Sequence, residues 1–371
     1  MRILHTADWH LGIDLHKMSL QQDQKDLMQQ LIQIVIEEKI DVILISGDVY
    51  DTALASKEAI QLFDWIMTQL CKQLNKEVIV IAGNHDSGER LSSMSHLLSP
   101  MGLHVYGRIH QIIEPIILKD VAFLPIPYFH LETIRTIYQQ PVRCLDDAFD
   151  LIITKGFEKT PSEMKKVVLA HTFCANASVS ESDRFANIGG SDLVSSKVFH
   201  DVDYVALGHL HKMQQLDHTY YSGSPLPYSF SEAKHASCVL IYDTEKNQVS
   251  KRSIEPLHPF ITIKGSFEQI QKQLEKPISQ QAYYKVELTD SIVSYETMEY
   301  FKEHLPTLLQ LVGKTAIAKE TISIPFEQLE EMNDLDIVRH FFLDYYEEEL
   351  DDEEIGWFLE VSEEKEEEYA S

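Results

Sequence analysis

The first 250 residues alternate short, β-branched apolar runs with stretches whose apolar positions recur at helical spacing. MRILHTAD, DVILISGD and EVIVIAGNHD read as strands, and QQLIQIVIEEK and KEAIQLFDWIMTQLCKQL as helices between them. This alternation belongs to layered α/β folds. Two of the apolar runs close on Gly-Asp and Gly-Asn, the punctuation of a buried strand leaving a sheet edge, which makes the polar residues there candidates for chemistry. Between Lys57 and Leu74, apolar side chains at Ile60, Phe63, Ile66, Met67 and Leu70 form one helical stripe, read as packing against the core or a second copy.

After about residue 255 the texture changes. FITIKGS, FEQIQKQLEK, AYYKVELTD and YETMEYFKEHLPTLLQLVG predict a small mixed α/β domain over residues 256–325. Residues 326–371 read as two helices with an acidic end, the first with Ile337, Phe341, Phe342 and Tyr345 on one face. That face suits docking of a partner and packing on its own protein equally. The expected division is 1–255, 256–325 and 326–371.

Charge changes the picture once its distribution is read. The chain carries 32 Lys+Arg against 59 Asp+Glu, a formal net charge of −27, which opposes nucleic-acid binding because that binding rests on phosphate neutralisation. Residues 326–371 hold 19 acidic and two basic residues, so −17 sits in the terminal block and −10 in the first 325 residues. The acidity describes the tail and leaves the folded part open to either kind of partner. No uninterrupted apolar run approaches the ~18 residues of a membrane span, and MRILHTADWH lacks the zones of a secretory signal, so a soluble, cytoplasmic chain is expected. Cys71, Cys144, Cys174 and Cys238 are isolated from one another, forming neither a disulfide ladder nor a CxxC clip, and are expected as reduced thiols.

Four strand ends carry metal-competent residues: DWH at Asp8–His10, GDVYD at Gly47–Asp51, GNHD at Gly83–Asp86 and GHLHK at Gly208–Lys212, with His171 added by LAHTF. A lone histidine after an apolar strand is most simply a structural residue, but this ordered set points to a pair of divalent cations. Side chains at i and i+2 of a strand share a side, which predicts Asp8 with His10 on one ion and His209 with His211 on one ion. Carboxylate, amide and imidazole donors suit Mn²⁺ or Fe²⁺ at least as well as Zn²⁺. Two such ions stabilise the attacking and leaving oxygens of an in-line displacement at phosphorus, and a bridging carboxylate, Asp48, is the simplest way to hold their spacing. His85, beside Asn84, is placed to steady the developing charge or protonate the leaving oxygen. Asp86 is expected to cap the following helix or pin its loop. Arg184 and Lys212 are candidates for phosphate contact, and Ile188–Ser191 and Ser222–Pro225 for shaping a groove, glycine permitting close approach.

The order DxH, GDxxD, GNHD, H, GHLH resembles the calcineurin-like metallophosphoesterase superfamily. HTADWHLG, SGDVYD, AGNHDS, SESDRFANIGGSDLV, YVALGHLHK and YSGSPLPYSFSE, spread over residues 1–255, are similar to the SbcD-type nuclease subunits of bacterial double-strand-break processing complexes. The resemblance implies a two-sheet β-sandwich flanked by helices, a small α/β capping domain, and a C-terminal helical segment that docks an SbcC-type ATPase. It implies one metal held by Asp8, His10, Asp48 and His211 and another by Asp48, Asn84, His171 and His209, with His85 the catalytic histidine outside the ligand set. Asp51 would then orient His85, a carboxylate on one imidazole nitrogen fixing the ring and supporting its charged form. The implied activity is Mn²⁺-dependent 3′–5′ exonuclease action on double-stranded DNA ends and endonuclease action on single strands and hairpins. The implied assembly is a homodimer acting with the ATPase in end processing and double-strand-break repair. The chain has no GxxxxGK[ST] phosphate loop, so ATP use is expected of the partner.

Two departures bear on this reading. Met213 and Gln214 stand where the family pattern leads to a proline, a change at a loop exit that leaves the ligands intact. Phosphatases on the same scaffold follow GDxxD with Arg-Gly and carry GNHE, the arginine clamping a terminal phosphate. Here Thr52 and Ala53 follow Asp51 and the motif is GNHD, which favours a diester. A cyclic-nucleotide phosphodiesterase leaves the segments beyond the metal motifs unexplained, and a non-catalytic scaffold needs neither the full donor set nor His85.

Overall fold

The structure, a computed structural model, describes residues 1–175, 177–178, 193–234, 236–275, 278–279 and 281–313, with isolated positions 335–336, 338–339 and 355. Strands and helices are numbered in chain order. In a first six-stranded sheet, β1 (Arg2–Thr6), β4 (Val42–Ser46), β5 (Glu77–Ile81) and β6 (Leu103–Tyr106) run parallel, and β15 (Cys238–Asp243) and β16 (Gln248–Ser253) extend β1's other side antiparallel. In a second, β8 (Val121–Ile126), β9 (Lys165–His171), β12 (Tyr204–Gly208) and β14 (Thr219–Tyr221) are parallel, edged by antiparallel β7 (Ile116–Leu118) and β13 (Gln214–Leu216). Two short pairs complete this part, the hairpin β2 (Asp14–Leu15) with β3 (Met18–Ser19), and parallel β10 (Phe173–Cys174) with β11 (Leu193–Val194).

The apolar runs are continuous because both faces of their strands are covered. Val42, Leu44, Ile79 and Ile81 turn inward and meet Phe123, Val167, Leu169 and Ala206 of the second sheet. Ile43, Ile45, Val78 and Val80 turn outward under α1 (Gln21–Glu37) and α2 (Lys57–Met67), against Leu27, Leu31 and Ile66. The second sheet's outer face, with Leu124, Val168 and Val205, is covered by α5 (Leu131–Tyr138) and α6 (Leu145–Phe157) through Ile134, Phe149 and Ile152. The result is a helix–sheet–sheet–helix sandwich, the two-sheet β-sandwich flanked by helices that the sequence resemblance implies. Between the sheets, His5 donates from Nε2 to Leu207 O at 3.1 Å and accepts at Nδ1 from the Tyr204 hydroxyl at 2.9 Å. Burial lowers its pKa to about 3.

The stripe of Lys57–Leu74 is only partly a core face. Ile66, Met67 and Leu70 are buried, but Ile60 is 51% exposed. The α-helix ends at Met67 and continues as a wider π-helical turn, Thr68–Gln73. Two short helices, α3 (Gly88–Leu91) and α4 (Ser95–Leu98), follow β5. None of the four cysteines is paired. Among the described residues no helix is long and apolar enough to cross a membrane.

Contacts divide the chain into two compact units, residues 1–263, 277–286 and 301–310 in one and 264–276, 287–300 and 311–371 in the other. The chain from Phe260 onward adds β17 (Phe260–Gly265), α7 (Phe267–Leu274), β18 (Tyr283–Leu288), α8 (Tyr295–His304) and β19 (Leu308–Val312), the three strands forming a sheet in the order β17-β18-β19. Helix α7 opens with a capping box between Ser266 and Gln269. The helix pair expected in residues 326–371 lies outside the described residues, isolated positions apart.

Candidate metal centre

Parallel pairing brings the C-terminal ends of β1, β4 and β5 side by side in one sheet and those of β9 and β12 in the other, and each motif hangs from one of these ends. The backbone there is contorted. Asp8, His10, Asp48 and His209 have φ of 53°, 42°, 46° and 102°, in the left-handed region that side chains disfavour. Neighbouring loops hold these turns, with Asp8 N donating to Gly47 O at 3.0 Å, His10 N to Asp48 O at 3.0 Å and Leu11 N to Val49 O at 2.9 Å.

This backbone corrects the strand-spacing expectation. Asp8 and His10 lie beyond the end of β1, and turns rather than strand alternation aim them. His209 and His211 part. His209 Nδ1 lies 3.1 Å from Asn84 Oδ1, and His211 Nε2 lies 3.2 Å from His10 Nε2, so the two histidines face different groups.

The ligand atoms of Asp8, His10 and His211 lie within 4.8 Å of one another, as do those of Asp8, Asp48 and His171. His171 Nε2 is 3.0 Å from Asn84 Oδ1, which joins Asn84 and His209 to the second group. Asp48 stands between the groups, its Oδ2 3.3 Å from His171 Nε2 and 3.8 Å from His10 Nε2. His171 donates Nδ1–H to Ser46 O at 2.9 Å, which turns Nε2 toward the centre. Close approach requires glycine at two positions: a Cβ on Gly47 would fall 2.3 Å from His171 Nδ1, and one on Gly83 2.1 Å from Asp48 Oδ1.

His85 is exposed at the rim, its backbone N–H on Asp48 Oδ1 at 2.9 Å and its Nδ1–H donated to the backbone carbonyl of Asp51 at 2.8 Å. The Asp51 carboxylate, expected to orient His85, shares a cluster with it and with His10, the ligand atoms of the three lying within 4.8 Å of one another. That carboxylate stands 3.5 Å from His10 Nδ1, and the acceptor of the hydrogen bond from the His85 ring is the Asp51 backbone carbonyl. Asp86 pins loops rather than capping a helix: its carboxylate accepts from Gly83 N at 2.9 Å, Val49 N at 3.1 Å and Tyr50 N at 2.9 Å. Ser224 N donates to His211 O at 3.0 Å, placing Ser222–Pro225 under the His209–His211 turn. Arg184 and Ile188–Ser191 lie outside the described residues.

The electrostatics are those of a donor set that gathers negative charge away from water. Burial lifts Asp8 to about 6 against the pull of His171, His211 and His10. Burial would also raise Asp48, but the charge of His171 and its hydrogen bond hold this carboxyl far below the usual range. Burial opposes and Asp48 supports the proton on His171, which ends near 9, and burial together with His171 lowers His209 to about 3. His10 Nδ1 is buried without a hydrogen-bond partner, and His10 Nε2 faces another imidazole nitrogen. Convergent oxygen and nitrogen lone pairs of this kind, with no thiolate among them, fit divalent cations.

Three supporting residues escape sequence reasoning. Gln24 of α1 donates to His10 O at 2.8 Å and accepts from Gly12 N at 3.0 Å, fixing the DWH turn. Its signal is a polar side chain in register with Leu27, Met28 and Leu31 on the buried face of a helix. Glu232, 4% exposed, sits 3.2 Å from His211 Nδ1 and accepts from Tyr228 N at 2.8 Å. Tyr228 in turn bonds its hydroxyl to Trp9 O and packs edge-on against His10, ring centroids 5.4 Å apart. The signal for Glu232 is a carboxylate closing the otherwise uncharged run PLPYSFSE.

Known proteins share this arrangement of sequence. Residues 1–213 match the calcineurin-like phosphoesterase family, and residues 256–346 match the domain described as type 5 capsule protein repressor C-terminal domain. The chain is 30% identical over 348 residues to the SbcD subunit of the nuclease SbcCD from Staphylococcus epidermidis, covering 92% of each chain. It is 28% identical over 348 residues to the protein of that name from Staphylococcus saprophyticus, again covering 92% of each, and 35% identical over 265 residues to that of Bacillus subtilis, covering 67% of each. A catalytic-type sandwich joined to the matching C-terminal domain, in chains similar almost end to end, places this chain in the calcineurin-like phosphoesterase family and, within it, among the SbcD subunits of SbcCD nucleases.

Proposed function

We propose that the chain is a dimetal-dependent DNA nuclease, a 3′–5′ exonuclease on double-stranded ends and an endonuclease on single strands and hairpins, using Mn²⁺. It would act with an SbcC-type ATPase in end processing and double-strand-break repair, in the cytoplasm. The observation that carries the reading is the convergence of Asp8, His10, Asp48, Asn84, His171, His209 and His211 on one centre with His85 exposed at its rim. The relatives' shared name and the matched C-terminal domain support the nuclease class and the ATPase partner. Thr52 and Ala53, in place of an arginine that would clamp a terminal phosphate, favour a diester over a monoester.

Asp8, His10, Asp48 and His211 would hold one cation and Asp48, Asn84, His171 and His209 the other. Bound there, the cations supply Lewis acidity toward the phosphoryl oxygens and a water acidic enough to attack at neutral pH. His85, with Nδ1–H committed to the Asp51 carbonyl, exchanges protons through Nε2. As water adds to phosphorus, releasing a proton to solvent, and the P–O3′ bond breaks, this nitrogen gives its proton to the departing oxygen and recovers one from solvent. Residues 1–255 would carry the catalysis, 256–325 would cap and orient DNA, and 326–371 would dock the ATPase. Exposed apolar side chains on and before α2, Leu54 and Ile60, and in the α3–α4 region, Met94 and Leu97, support a homodimer.

The test is cleavage of end-labelled duplex and hairpin DNA with Mn²⁺, Mg²⁺ or EDTA beside a p-nitrophenyl phosphate control. Mn²⁺-dependent DNA cleavage with little monoester turnover is expected. Monoester turnover without DNA cleavage would make the chain a phosphatase.

A further inference from the structure

Beside the metal centre, sharing Asn84, His171 and His209 with it, lies a cavity of about 260 Å³. Its remaining walls, among the described residues, combine the rings of Tyr128, Phe129 and Phe173 with Leu131 and Leu145 and the polar His130 and Thr172. Phe129 rests on Phe149 with ring centroids 5.3 Å apart, and Phe173 lies 6.4 Å from the His209 ring. Both are only partly buried at the margin of the second sheet's core, and Tyr128 is 39% exposed, so the cavity reaches the surface. Across the Tyr128–His130 segment a second cavity, of about 320 Å³, also borders Asn84 and carries Arg108 and His110. The segment thus lines both cavities, each of which borders Asn84 at the edge of the same centre.

We propose that the aromatic cavity takes the unstacked base of the terminal nucleotide whose phosphate lies at the metal centre, an inference that rests on the nuclease reading above. A phosphoryl group against Asn84, His171 and His209 would border the cavity that these three residues also line, within reach of its own nucleoside. The rings there offer π faces, which every base can use, beside the few polar side chains of Asn84, His130 and Thr172. Such a cavity grips any base and helps offset the loss of stacking when the last nucleotide leaves the duplex. The specificity that follows is for a nucleotide over a bare sugar phosphate.

Calorimetry on the Mn²⁺-loaded protein tests this with deoxyadenosine 5′-monophosphate, thymidine 5′-monophosphate and deoxyribose 5-phosphate, beside the DNA cleavage assay. Both nucleotides should bind about 5- to 150-fold tighter than the sugar phosphate, the range one base–aromatic stack confers. Phe173→Ala should erase most of that gain and leave sugar-phosphate binding unchanged. Should that variant fold poorly, Tyr128→Ala, at an exposed side chain, should reduce the gain. Equal binding of the three ligands, or a preference untouched by either substitution, would overturn the assignment even if DNA is cut. Nucleotide preference lost in the variants, in a protein that cuts no DNA, would instead leave the cavity standing and remove the nuclease reading.

Discussion

His85 donates its Nδ1–H to the carbonyl oxygen of Asp51, a backbone group that stays in place when the Asp51 side chain is altered. Asp51→Asn should therefore keep kcat for DNA cleavage within about tenfold of the unaltered protein, well short of the ~10²–10⁴ that loss of a proton-transfer group removes. A rate as low as that of His85→Ala would show that the carboxylate itself serves the reaction. Glu232 makes the opposite case. Its carboxylate stands against His211 Nδ1, the nitrogen that sets which tautomer and ring angle the donor Nε2 presents. Glu232→Gln should weaken metal binding by about 10–100-fold in a titration followed by calorimetry, with the fold intact by circular dichroism. Unchanged affinity would reduce Glu232 to a packing residue.

At the scale of elements, the two sheets are joined by a buried histidine as well as by apolar contact. His5 stays neutral in the folded chain down to about pH 3, whereas in the unfolded chain it takes a proton below its ordinary value of 6.5. Between these limits the unfolded state binds the extra proton, so stability rises with pH and is lost as pH falls, by about 1.4 kcal/mol per unit. His5→Phe removes that term. Its denaturant-measured stability should fall by about 2 kcal/mol less than that of the unaltered protein between pH 7 and 5, and parallel losses would contradict the assignment. The strands themselves were legible, since VILIS and VIVI are continuous apolar runs that only a doubly covered sheet accommodates. So were the ends of those strands, where turn chemistry and metal-competent side chains coincide. The handedness of the turns was not, because nothing in DWH or GHLH announces positive φ at Asp8, His10 and His209, and strand alternation was the wrong rule there. Nor was the half-exposure of Ile60, since a helical stripe reports periodicity and not how far the covered sheet extends.

At the scale of the molecule, a sequence of net charge −27 forms a centre with the donors for phosphodiester chemistry, and the contradiction dissolves because −17 of that charge lies in residues 326–371. Partners such as Glu232 and Gln24 are marked in the sequence only as polar side chains in unlikely places, and what they touch lies in another element, 14 residues away for Gln24 and His10 and 21 for Glu232 and His211. The centre divides its labour under the proposed function, Asp48 joining the two cation sites and His85 moving a proton without holding metal. The most direct measurement is the metal content of purified His85→Ala and Asp48→Ala beside their rates of Mn²⁺-dependent duplex cleavage. His85→Ala should keep two cations per chain and lose most cleavage, while Asp48→Ala should lose cations and cleavage together. Equal metal loss in the two variants, or full cleavage by His85→Ala, would contradict that division.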